Sequence, residues 1–327
     1  MKSCNGVFAG GGIRGIAHLG AVCEMERRGY QFEKLAGTSA GAIIAALVSA
    51  GYTGAEAKAA MLETDYPRSK QKDLLDYLGV LGKTISLLWK FGIYSTDYFE
   101  LWLNQLLLPK KVLVFGDVKI GDPRNPADHT GSHSDCRPDY RLKVTASDLT
   151  DHRILVLPED LTDFGIDPDS FSIARAVRMS MSIPVFFEPF RLKDQRGKEH
   201  LIVDGGLLSN YPMWIMDGET ERKIPTFGFR FSGMKENQEV CGNCSGTNFA
   251  DYMKAIVSTA LDAHDNRHVS HSKGYFQRTV WISPEIWING EKKRISSTDF
   301  EITRKEQLLL YENGRKAAAD FLQKIRT

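Results

Sequence analysis

Gly37-Thr38-Ser39-Ala40-Gly41, run straight into Ala42-Ile43-Ile44-Ala45-Ala46-Leu47-Val48, is the stretch on which the fold turns. The five residues fit G-x-S-x-G, a sharp strand-to-helix turn that lifts a serine out of the backbone path. The flanking glycines remove side chains that would otherwise clash. The following segment, Ala40–Ala50, is apolar or small all round, which predicts a buried helix. A short strand near Phe32–Ala36 is expected before it. Read alone, the pentapeptide is also compatible with a plain Gly/Ser turn.

Upstream, an apolar strand at Gly6–Ala9 runs into Gly10-Gly11-Gly12-Ile13-Arg14-Gly15, and a helix is expected over Ile13–Arg28, closed by Gly29. Free amides in such a turn can hold an anion. Gly10, Gly12 and Gly15 also satisfy G-x-G-x-x-G, a dinucleotide fingerprint that wants an acid about 20 positions on. Glu33 is near that distance, but the same strand leads to Ser39, so ribose and nucleophile would compete for one strand end. An oxyanion hole, with the Gly11 and Gly12 amides directed at an intermediate on Ser39, is the reading that accommodates both turns. Only 38 residues precede Ser39, too few for the several strands that come before the elbow of an ordinary α/β-hydrolase.

Downstream, strands are expected at Arg141–Ala146, Arg153–Leu157, Leu201–Val203 and Thr279–Ile282. Helices are expected at Ser172–Met181, Tyr252–Ser270 and from about Lys305 to the end. Residues 53–108 read as helical and aromatic-rich; Gly121–Tyr140 and Lys235–Thr247 read as polar loops. The alternation of strand, tight turn and helix predicts a layered α/β/α fold around a mostly parallel sheet. No repeat or linker divides the 327 residues, so one domain over 1–327 is expected, with its motifs in 6–212 and 213–327 packed against them.

The three turns, in order, resemble those of the patatin-like phospholipase family: Gly10–Gly15, Gly37–Gly41 and Asp204-Gly205-Gly206. Ala174–Pro184 and Val203–Pro212 are similar to that family's segments around its aspartate turn, and the likeness runs from about Gly6 to Pro212. The resemblance implies a serine carboxylic ester hydrolase working on acyl lipids through a Ser39–Asp204 dyad, without a histidine, calcium or a cofactor. Gly11 and Gly12 would then form the oxyanion hole. Arg14 would lend its charge there, or else be a surface residue of the helix. The substrate expected is a phospholipid or lysophospholipid met at a membrane surface. A regulated, membrane-degrading effector of the same chemistry is one alternative; a nucleotide-binding module built on Gly10–Gly15 is the other.

Composition is compatible with this. Hydrophobic residues make up 42% and charged residues 25%, as in globular domains, and a net charge of +1 argues against nucleic acid. Five scattered cysteines suit a reducing compartment, and no signal-peptide pattern opens the chain, so a cytoplasmic location is expected, with peripheral attachment to a membrane as an option. Leu74–Leu108, with Trp89, Phe91 and Tyr94 beside Lys83 and Lys90, reads either as a lid that docks on lipid or as ordinary core. His264, His268 and His271 read as a solvated helix face, and His18 as a packed helix residue. His129, His133 and Cys136 lack a fourth zinc ligand, and Cys241/Cys244 lack a partner pair, so no metal is expected.

Overall fold

The computed structural model describes residues 1–63, 92–94, 96–120, 139–217, 224–232, 273–297, 299 and 302–325. Its centre is an eight-stranded sheet. The strands are β1 (Lys2–Phe8), β2 (Tyr30–Thr38), β3 (Leu142–Asp148), β4 (Arg153–Leu157), β5 (Phe190–Lys193), β6 (Glu199–Asp204), β7 (Thr226–Phe231) and β8 (Thr279–Ile282). Parallel pairings run β8-β7-β1-β2-β3. Antiparallel pairings join β3 to β4 and β6, and β6 to β5. The mostly parallel sheet is the one the strand–turn–helix alternation predicts.

Central strands covered on both faces are apolar where they cross the core, as β1 is over Gly6–Phe8 and β2 over Leu35–Gly37. Phe8 and Leu35 face one core; Val7, Ala9 and Ala36 face another, smaller one. The first core is roofed by α1 (Ile16–Arg27), α2 (Ala40–Ser49), α3 (Gly54–Glu63) and α6 (Arg304–Lys324). Among the described residues the opposite face carries only short pieces, Met213–Met216 and Lys273–Gln277. Every residue of α2 is buried; full burial of a side chain such as Ile44 or Leu47 contributes about 1.5–3 kcal/mol. No helix of the described residues is long and apolar enough to cross a membrane.

Three sequence expectations need correction. The first helix begins later than Ile13, because Gly12–Gly15 forms a 3₁₀ turn before α1 takes over at Ile16. Residues 53–108 are not helical throughout. Gly92–Tyr94 is a strand, parallel to Val185–Phe187, a long-range pairing that overrides local propensity. Asp139–Tyr140, assigned to a loop, pairs with Lys119–Ile120, and Tyr140 is buried. In α4 (Asp97–Leu107), Phe99, Trp102, Leu103 and Leu107 are core while Leu101 is exposed, an ordinary one-sided helix.

Residues 74–91 of the proposed lid, the His129/His133/Cys136 loop and the Cys241/Cys244 loop lie outside the described residues. So does the expected helix Tyr252–Ser270, with His264, His268 and the neighbouring His271.

Candidate active site

β2 ends at Thr38 and α2 begins at Ala40, leaving Ser39 alone at the corner. Its backbone has φ 53° and ψ −125°, outside both helix and strand. A non-glycine residue held this way costs about 1–3 kcal/mol, which the surroundings must supply. The corner closes because Gly37 and Gly41 have no side chains. A Cβ at Gly37 would sit 2.4 Å from the Gly41 carbonyl oxygen, and one at Gly41 would sit 2.2 Å from that of Phe8. Ser39 is buried, and its amide donates to Ser180 Oγ at 2.7 Å. The Thr38 hydroxyl is 2.5 Å from that of Thr145 and donates to the Ser209 carbonyl at 3.1 Å.

Strand register brings the aspartate turn to this corner. β2 runs parallel to β3 and reaches Thr145 at Thr38. β6 runs antiparallel along the next stretch of β3 and reaches Ala146 at Asp204. Since β4 occupies the other edge of β3 over Val144–Asp148, β2 and β6 lie on the same edge, end to end. Their C-terminal ends therefore meet on adjacent residues of one strand. Ser39 and Asp204 are each one step from that meeting point or on it.

Asp204 is 1% exposed. Its amide donates to the Ser182 carbonyl at 2.9 Å, and Oδ1 accepts from the Gly206 amide at 2.7 Å. Oδ2 is buried with no partner at strict hydrogen-bond geometry. Burial pushes the carboxyl up to about 7; the Ser39 hydroxyl and the Gly206 amide, which favour the anion, oppose that rise. The contact with Ser39 is thus looser than that with Gly206. Among the residues acting on this carboxyl, none is a cation.

The glycine loop lies alongside. A Cβ at Gly10 would be 3.3 Å from Ser39 Cβ. The Gly10 amide is taken by the Asn210 carbonyl and the Ile13 amide by that of Ser297. Between them, the Gly11 and Gly12 amides meet no backbone acceptor among the described residues. Arg14 donates from Nε to the Gly11 carbonyl at 3.1 Å and lays its guanidinium over the Phe231 ring at 4.7 Å. Gly15 faces Ala40, closing loop against elbow. Glu33, the acid a dinucleotide reading needs, lies in the lower half of β2, level with Cys4–Gly6 and far from the loop end.

The described histidines are engaged elsewhere. His18 is buried, bonds Ala9 O through Nε2 at 2.9 Å, and is lowered to about 4 by that burial, so it is neutral. His152 is exposed in a turn. His200 Nδ1 is 2.8 Å from Asp148 Oδ2. Asp148, Asp151 and His200 are the described residues whose donor atoms, within 4.8 Å of one another, could hold a metal ion. This cluster escaped the sequence reading because its members come from two strands, β3 and β6, and from the turn after β3. The roles of Ser180 and Ser182 escaped as well, although two serines closing the helix Ile173–Met181 are a visible signal.

Comparison with known proteins agrees with these observations. The family model described as patatin-like phospholipase matches residues 6–217. YqhO of Bacillus subtilis is 36% identical over 319 residues, 98% of each chain. An NTE family protein of Mycobacterium tuberculosis, Rv2565, is 28% identical over 223 residues, 68% of this chain but 30% of its own. The structure of VipD from Legionella pneumophila superposes with a TM-score of 0.58 at 16% identity, covering 99% of this chain and 67% of that one, a likeness of fold. This chain belongs to the patatin-like phospholipase family.

Proposed function

We propose that the chain is a lipid acyl hydrolase of the phospholipase A or lysophospholipase type, cleaving carboxylic esters through a Ser39–Asp204 dyad. The observation that carries this reading is the Asp204 carboxyl, buried without a cation, raised to about 7 and set against the Ser39 hydroxyl. A base that titrates near neutrality both takes and returns a proton at working pH.

In the first half-reaction Asp204 accepts the Ser39 hydroxyl proton while Oγ bonds the ester carbonyl carbon. The carbonyl oxygen becomes an oxyanion, stabilised by the Gly11 and Gly12 amides, each donor contributing roughly 10²–10³ in turnover. The intermediate collapses with loss of the alcohol, which takes the proton from Asp204. In the second, water gives a proton to Asp204 and its oxygen attacks the acyl-serine; the fatty acid leaves and Ser39 recovers its proton. Arg14 acts through the loop: its bond to the Gly11 carbonyl fixes the amides' direction. No metal or cofactor enters these steps. The lipid is met at a membrane surface, where such substrates reside.

A fluorophosphonate probe is expected to label the wild type at Ser39, and Ser39→Ala to abolish labelling and ester hydrolysis. Lipid profiling of membranes incubated with each protein names the substrate. Undiminished hydrolysis by Ser39→Ala overturns the reading.

A further inference from the structure

Two residues, one at the end of α5 (Ile173–Met181) and one just beyond it, between them reach both members of the dyad. Ser180 is fully buried, and its Oγ accepts the Ser39 amide at 2.7 Å. Two residues on, the Ser182 carbonyl accepts the Asp204 amide at 2.9 Å. The Ser182 hydroxyl turns back to the Arg178 carbonyl at 3.0 Å. Arg178 is itself braced on α4, with Nε on Thr96 Oγ1 at 2.9 Å and Nη1 on Asp97 and Glu100 at 2.6 and 2.9 Å.

The elbow explains why Ser39 needs such a partner. At φ 53° and ψ −125° its amide continues neither the ladder of β2 nor the hydrogen bonding of α2. A buried N–H without an acceptor is rare because it is costly, so the peptide would rotate to find one. The rotation that redirects the amide also swings Cβ, and Oγ with it, since the amide nitrogen and Cβ are bonded to the same Cα.

We infer that Ser180 is a positioning residue of the nucleophile: by accepting the Ser39 amide, its hydroxyl holds the strained corner in the setting that keeps Oγ against Asp204. This rests on the dyad reading above. The two serines differ in how they act. Ser182 holds Asp204 through its main chain, which any residue provides, whereas Ser180 holds Ser39 through its side chain.

The test compares Ser180→Thr with Ser180→Val in the full chain; the two are alike in shape and differ by a hydroxyl. Thermal melting checks that both fold, and kcat and KM are measured on a p-nitrophenyl ester. Because a misplacement of about 1 Å can cost 10²-fold, the valine variant is expected to lose about 10- to 100-fold in kcat relative to threonine, with KM nearly unchanged. The rate of fluorophosphonate labelling should fall in step. Equal kcat in the folded pair overturns the inference. Should branching at this buried site prevent folding, Ser180→Ala replaces the pair, and wild-type kcat there overturns it equally. Ser39→Ala separates the two claims. If it stays active, the dyad reading fails; if it is dead while valine matches threonine, only the role of Ser180 fails.

Discussion

The two ends of β6 bury a carboxylate in opposite ways. At one end Asp148, on the neighbouring strand and fully buried, meets His200 Nδ1 at 2.8 Å and takes the Thr150 and Asp151 amides on its other oxygen. Asp151 and Asp194 also face that imidazole, at 3.7 and 3.8 Å, and Asp151 is paired with Lys198. At the other end Asp204, equally buried, has the Gly206 amide, a looser Ser39 hydroxyl and one orphan oxygen. The lesson is that burial alone does not decide what an acid does. Where partners surround it, the strand end is stapled; where they are withheld, the proton equilibrium moves into the range where chemistry is run.

The largest effect expected from this contrast is at Asp204. Asp204→Asn keeps an oxygen for the Gly206 amide but removes the proposed base, so turnover should fall about 10³–10⁴-fold, by analogy with other dyad and triad members. Its stability should move the other way. The folded pKa lies above the unfolded value of 3.8, so the folded state holds the proton more tightly. The wild type thus loses stability as pH rises from about 4 to about 7, and carries the full penalty above that. Asparagine is free of it, so melting curves should show the variant gaining on the wild type as pH rises, by at most about 4 kcal/mol. In the wild type, kcat should climb through an acid limb near 7, where Asp204 ionises. A variant that is inactive and yet less stable at pH 8 would mean that the carboxylate is paired after all.

How much of this was legible beforehand follows from where each constraint lives. The Ser39 corner is five residues long and depends on glycines adjacent in the chain, so G-x-S-x-G and the apolar helix after it were enough. The order of three turns then brought in Asp204. The residues missed are those whose meaning is set across the sheet. Ser180 acquires its role only when α5 is laid beside the elbow, and His200 only when β6 is registered on β3. Gly92–Tyr94, read as helix, became a strand for the same reason, its partner lying some ninety residues away at Val185–Phe187.

The opposite end of β6 should respond in stability, not chemistry. His200→Leu leaves Asp148 buried without its side-chain partner, a change that typically costs about 3–5 kcal/mol. His200 and Asp204 stand four positions apart along the strand, about 13 Å at the usual rise. The kcat per folded molecule, normalised by fluorophosphonate titration, should therefore match the wild type while the urea midpoint falls. A collapse of kcat in protein that remains folded would show that the two ends are not independent.

The smallest change refines the same division. Thr150 Oγ1 accepts the Leu201 amide at 2.9 Å, beside a backbone bond from Leu149 to the Leu201 carbonyl, so the turn after β3 grips β6 by one side chain and one peptide. Thr150→Val removes the side-chain bond at nearly constant volume and should cost about 1 kcal/mol. Its informative use is in combination. The Thr150 amide is itself bonded to Asp148, the partner of His200, so Thr150→Val and His200→Leu disturb one network. Their double variant should depart from the sum of the singles by more than about 0.5 kcal/mol. Thr150→Val and Asp204→Asn share no partner, and their effects on urea unfolding, of opposite sign above pH 7, should add; coupling there as large as at His200 would merge the two ends of β6 into one electrostatic unit.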